Sequence, residues 1–184
     1  MLVQLLLPVG LSAVALFIAS FLSWMVLKLH FSDWVKIENE DEFIDKVRDM
    51  GLPAGSYGFP GFATPADTTN PEIHKKCEEG PSGILTVFPK VSMGRNLGLT
   101  FAYFLGVNFC LAYLASFALG PDAAKFEVFR FVATAGLITY VGAMLQHAIW
   151  FRCRITGHVI ESIAYAAITG AIFAAMWPTP TVTP

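Results

Sequence analysis

Charge is scarce in this chain of 184 residues: Lys, Arg, Asp and Glu make up 14% of it against 55% hydrophobic residues, and the mean hydropathy is +0.58. So few charges cannot clothe a soluble globule, which makes a lipid bilayer the expected solvent. A basic excess is also missing. With 12 Lys and Arg against 14 Asp and Glu, and no basic stripe, nucleic acid drops out of the expected partners. Cysteine is limited to Cys77, Cys110 and Cys153, which form no CxxC pair, so neither a disulfide framework nor a zinc ribbon is expected. Nucleophile elbows, phosphate loops and metalloprotease motifs do not occur. No catalytic residue is assigned, and the chain is not expected to be an enzyme.

What the chain does have is long apolar runs. A spanning helix needs about 20 apolar residues, and four segments qualify: Leu2 to Leu27, Leu97 to Leu119, about Val128 to Phe151, and about Gly157 to Trp177. The first run lacks a basic leader and is too long for the core of a signal peptide, so it is expected to be a retained membrane helix. The expected fold class is therefore an all-α membrane protein, a four-transmembrane-helix bundle with a cytoplasmic loop region between helices 1 and 2. Its divisions are a transmembrane helix over 1–27, a loop with two short helices over 28–96, transmembrane helices 2–4 over 97–177, and a C-terminal tail over 178–184. The Pro/Thr stretch from Thr179 to Pro184 has no reason to order without a neighbour.

The charges respect this division. Of the 26 Asp, Glu, Lys and Arg residues, 19 fall between Lys28 and Arg95. Ten of the 12 basic residues lie on the side of the 28–96 loop and the Arg152 to Thr156 turn, leaving only Lys125 and Arg130 opposite. By the positive-inside rule the loop faces the cytoplasm and both termini lie outside. Trp24, Trp34, Trp150 and Trp177 fall near predicted helix ends, where an indole can be half apolar and half wet.

Within the loop, Asn39 is placed to cap a helix whose apolar residues Phe43, Ile44, Val47 and Met50 recur at helical spacing, with Gly51 and Pro53 stopping it. Asn70 caps a second short helix opened by Pro71 and ended by Gly80-Pro81. Between them, Leu52 to Pro65 favours extended backbone that needs a surface to lie on. Ile84, Leu85, Val87 and Phe88 form a further apolar stretch, and the loop is not expected to fold alone. Small residues recur every four positions in each span: Ala15, Ala19, Ser23; Gly98, Ala102, Gly106, Cys110; Ala135, Thr139, Ala143; and Ser162, Ala166, Gly170, Ala174. Such faces let helices approach closely and predict a compact bundle.

Ionisable residues inside spans are candidates for function. His147, Arg152, Arg154, His158 and Glu161 surround the turn between the last two spans, with His30 at the same level. His147 and His158 each continue a small-residue face, so both imidazoles are expected to point toward neighbouring helices. His147, His158 and Glu161 are the candidate cofactor ligands. Two histidines on adjoining helices could ligate haem iron or a metal, with Glu161 adding a carboxylate. The pattern lacks the Glu-x-x-His pairs of a di-iron bundle. The simpler expectation is that no cofactor is bound and that Glu161 pairs with Arg152, Arg154 or His158.

The run Gly51 to Tyr57, the stretch Asn70 to Val87, the pair Ile149-Trp150, and Glu161, Tyr165, Thr169 and Trp177-Pro178 carry a resemblance. Over nearly its whole length the chain resembles a family of small uncharacterised bacterial four-helix integral membrane proteins. The resemblance implies a bacterial membrane location and a four-span layout, and no activity. The expected function is that of an accessory or structural subunit of a larger inner-membrane complex of respiratory or photosynthetic type, in contact with lipids and other integral membrane subunits. A small oligomeric transporter or channel, and a haem- or metal-binding redox protein using His147 and His158, are the alternatives.

Overall fold

A chain this poor in polar side chains satisfies its backbone N–H and C=O groups most readily within its own segments, and each apolar run is helical. The computed structural model describes residues 1–178, the Ala143 side chain excepted. Helix α1 (Leu6–Phe21) is preceded by a 3-10 turn at Leu2–Leu5 and followed by a wide π turn at Leu22–Val26. Then come α2 (Glu40–Asp49), strand β1 (Gly55–Phe59), a 3-10 turn at Pro65–Thr69, α3 (Pro71–Glu79) and strand β2 (Gly83–Val87). The long helices α4 (Met93–Ala118), α5 (Lys125–Phe151) and α6 (Thr156–Ala175) complete the order. Four helical segments, Leu2–Val26, Met93–Ala118, Lys125–Phe151 and Thr156–Ala175, are long and apolar enough to cross a membrane. The expected tail from Thr179 to Pro184 lies outside the described residues.

The chain forms two units, Met1–Val35 with everything from Gly94 onward, and Lys36–Met93. In the first, α6 is the central helix. Its small-residue face is buried as the spacing predicts: Ser162, Ala166, Gly170 and Ala174 all lie inside. At Gly170 an added Cβ would stand 3.0 Å from the Ala133 Cβ, 3.0 Å from the Phe129 ring and 3.1 Å from the Phe129 carbonyl oxygen. Glycine is required there because α5 crosses at that point. One apolar cluster joins Leu5 and Val9, Leu111 and Ala115 of α4, Val128 and Val132 of α5, and Phe173 of α6. A second gathers Ala13, Leu16, Phe104, Tyr140 and Tyr165. Trp177 closes one end, its indole N–H donating to the Gly120 carbonyl at 2.9 Å.

Two of the small-residue faces do not pack as expected. Helix α5 buries Val128, Val132, Gly136 and Tyr140, one residue ahead of the Ala135 and Thr139 stripe. A single residue turns a helix by about 100°, and the larger side chains of the neighbouring stripe offer more apolar area to α6. Helix α4 turns Phe104, Asn108, Leu111, Ala112 and Ala115 inward. Its Gly98, Ala102, Gly106 and Cys110 face outward. Nothing lies within 4 Å of the positions where Cβ atoms on Gly98 and Gly106 would stand.

The second unit contains the one departure from an all-helical chain among the described residues. Strands β1 and β2 pair antiparallel from Gly55 opposite Val87 to Phe59 opposite Gly83, so the extended segment finds its hydrogen bonds within the chain. Helix α2 forms where expected and ends at Gly51 with φ +60°. The Asn39 side chain makes no capping bond, however, and only its carbonyl accepts, from Phe43 at 3.0 Å. Asn70 does cap α3, accepting from the Glu72 N–H at 2.9 Å. Asp67 accepts from the backbone N–H groups of Ala63 at 2.7 Å and Thr64 at 2.8 Å. Those two bonds to the charged form hold its carboxyl below the ordinary aspartate value.

Candidate functional site

The end of α1 is built to reverse the chain. Its last turn widens, with the Leu27 N–H on the Leu22 carbonyl at 2.8 Å and the Leu29 N–H on the Ser23 carbonyl at 3.1 Å. Single π turns of this kind recur at functional sites. Lys28 then takes φ +52°, a left-handed conformation that costs a non-glycine residue about 1–2 kcal/mol. The reversal lays the His30 ring on the Trp24 indole, centroids 4.0 Å apart and planes 16° apart. A short turn, fixed by the Asp33 N–H on the His30 carbonyl at 3.1 Å, brings the Asp33 carboxylate to 2.8 Å from His30 Nδ1.

From α6, His158 and Glu161 project three residues apart on one face. Glu161 Oε2 lies 3.1 Å from His30 Nε2 and 3.8 Å from His158 Nδ1. The two imidazoles are 4.4 Å apart at their centroids. His30 and Glu161 are 3% and 7% exposed, whereas His158 is 32% exposed and forms the rim. Gly157 makes this approach possible: a Cβ there would stand 2.9 Å from the His30 ring and 3.1 Å from the Leu29 carbonyl. The 3.1 Å contact lacks the alignment of a hydrogen bond. His30 Nε2 and, separately, the other carboxylate oxygen, Glu161 Oε1, are buried polar atoms without hydrogen-bond partners. A cavity of about 230 Å³ adjoins the cluster, lined by His158, Glu161, Tyr103, Tyr140 and Tyr165 among others.

The candidates named from sequence thus separate. His158 and Glu161 come together, as their spacing suggests. His147 is exposed, its ring on Phe151 at 4.6 Å, and does not join them. The expectation that it faces a neighbouring helix is wrong, because the buried face of α5 follows Val128, Val132, Gly136 and Tyr140. Neither arginine approaches Glu161 in the ion pairs formed. Arg154 instead donates to the Ser32 carbonyl at 3.1 Å, tying the reversed segment to the start of α6. His30 takes the role expected of an arginine, with Asp33 and Trp24 behind it. The spacing His-x-x-Asp was the available signal for that pair.

Comparison with known proteins finds no family model, curated protein or solved structure that matches the chain. The chemistry of the cluster must be read from its donors. Two imidazoles and a carboxylate on common ground can share a proton or hold a cation. Haem suits them poorly, since axial imidazoles bind from opposite faces of a flat macrocycle and these rings are 4.4 Å apart.

Proposed function

We propose that this chain is a structural subunit of a larger bacterial inner-membrane complex, stabilising it by helix packing. The observation that carries this reading is the outward small-residue face of α4, Gly98, Ala102, Gly106 and Cys110. Lipid supplies no hydrophobic drive for helix association, so close backbone approach along such a face is the usual means of joining helices. Helix α6 uses that device inside the bundle, and α4 holds a second copy of it in reserve. The apolar face of α2, with Phe43 and Ile44 exposed, supports further contact through the loop. On this reading the loop is cytoplasmic and both termini lie outside, following the basic bias.

The test is cross-linking through Cys110 in native membranes, in a form with Cys77 and Cys153 changed to serine. A short bis-maleimide should join Cys110 to a different polypeptide, identified by mass spectrometry, and Gly106→Leu should release this chain from the parent complex on a native gel. A Cys110-to-Cys110 dimer alone, or an unchanged native complex in the Gly106→Leu form, would overturn the reading. The dimer would favour a small oligomeric transporter, for which the buried and unpaired polar atoms of Ser12, Asn108, Tyr140 and Thr169 are the specific support.

A further inference from the structure

Three features of the His30 cluster are unexplained by helix packing: buried polar atoms left without hydrogen bonds, a strained reversal that delivers His30, and a glycine that makes room for its ring. We propose that His30, His158 and Glu161 bind one divalent first-row transition metal ion of the zinc class, with Asp33 as the carboxylate that orients His30. This assignment is independent of whether the chain is a subunit of a larger complex.

The geometry comes first. One ligand atom from each of the three residues lies within 4.8 Å of the other two. A tetrahedral ion with bonds of about 2.0–2.1 Å holds its donors roughly 3.3 Å apart. Glu161 Oε2 already stands 3.1 Å from His30 Nε2 and 3.8 Å from His158 Nδ1. No separation among the three donors exceeds 4.8 Å, so a swing of the rim imidazole of His158 by up to about 1.5 Å completes the site. The 3.8 Å separation is too long for a hydrogen bond and suits two donors sharing an ion.

Orientation comes next. A metal-bound histidine almost always gives its other ring N–H to a carboxylate or carbonyl, which fixes the tautomer and strengthens the donor. Asp33 does this at His30 Nδ1, at 2.8 Å, and so commits Nε2 to the side where Glu161 and His158 converge. Trp24 holds the plane of the ring, and Gly157 lets it lie against α6.

Charge also suits a dication. With both imidazoles uncharged, Asp33 and Glu161 place two negative charges on side chains that are each 7% exposed. Buried uncompensated charge costs several kcal/mol per ion. A dication held by neutral imidazoles brings the formal charge of these two carboxylates to zero. His158 at the rim leaves the fourth position of the ion on the side open to water and to the adjoining cavity, the arrangement of three protein ligands and one exchangeable site.

The test uses the full chain in detergent with any affinity tag removed, stripped by chelator and titrated with Co²⁺ alone, then with Zn²⁺ as competitor. One equivalent of Co²⁺ per chain should bind with a tetrahedral ligand-field band, and Zn²⁺ should displace it. Asp33→Asn should weaken binding about 10–100-fold, the usual effect of losing an orienting carboxylate. Gly157→Ala should weaken it as well, and His147→Ala should leave it unchanged. Glu161→Gln and His158→Ala should lose stoichiometric binding. His158 is about one-third exposed, so its removal keeps the test clean where a change at buried His30 disturbs the fold. The proposal is overturned if the folded protein takes up no stoichiometric ion, or if the Glu161→Gln and His158→Ala forms retain it unaltered.

Discussion

The crossing of α5 and α6 at Gly170 gives a test of the packing that can be worked through in numbers. An alanine Cβ at that position meets the Ala133 Cβ and the Phe129 ring at 3.0 Å and the Phe129 carbonyl oxygen at 3.1 Å. Optimal carbon contacts lie at about 3.5–4.0 Å, so α5 must retreat by about half an ångström or more. The Phe129 ring could rotate away, but its carbonyl is fixed in the helix. Overpacking of this kind costs about 1–3 kcal/mol. Against it stands the gain of about 1 kcal/mol when alanine replaces glycine in a helix. Gly170→Ala should therefore lose about 1 kcal/mol net. Gly106→Ala is the same chemical change on α4 with nothing within 4 Å, and it keeps the gain. The two variants should differ by about 2 kcal/mol in opposite directions from the parent protein. Unfolding by rising SDS in mixed micelles, followed by far-ultraviolet circular dichroism, measures that difference, and the common detergent background cancels. Equal midpoints for the two variants would refute the crossing geometry.

The remaining predictions concern the loop and its placement. A form retaining Cys77 as its only cysteine should resist a membrane-impermeant maleimide in intact spheroplasts and react once they are permeabilised; rapid labelling from outside would invert the topology. Asp67 is held below its ordinary value, so the stabilisation it lends the Thr64 turn is present above the unfolded aspartate pKa and is lost as pH falls through the lower folded value. Hydrogen exchange at Ala63 and Thr64 should accelerate over that acidic range, and Asp67→Asn should flatten the response. Asn70→Ala should destabilise α3 by about 1 kcal/mol by removing its cap. Asn39→Ala should leave exchange in α2 unchanged, since that side chain makes no capping bond.

Most of what could be read from the sequence was local. Helix ends at Asn70-Pro71, Gly80 and Gly51 were legible because caps and breakers act within a few residues, and the four long helices were legible from composition and length. The hairpin was not, since β1 and β2 are separated by a 3-10 turn and a helix and carry no tight-turn signature; only the register of Gly55 opposite Val87 reveals why both segments are extended. Small-residue spacing showed which faces permit close approach without deciding which are used. On α6 the permitted face is buried, on α5 the buried face lies one residue away, and on α4 the permitted face points outward. That choice depends on the total area each helix can bury against its neighbours.

The cluster was half legible for a related reason. His158 and Glu161 lie three residues apart on one helix, and periodicity alone places them on a common face. His30 reaches them only because α1 ends in a π turn and Lys28 adopts φ +52°, neither of which leaves a mark in the sequence. No glycine or proline announces the reversal, and a lysine in that conformation is a poor guess beforehand. The reversal carries a strain of about 1–2 kcal/mol at Lys28, and what it delivers is an imidazole whose Nδ1 is held by Asp33 and whose Nε2 faces Glu161. Replacing Lys28 with glycine relieves the strain without removing a contact to the cluster. It should leave metal affinity intact or slightly raised while stabilising the fold. Substitution by valine, whose branched side chain resists positive φ, should lower both together.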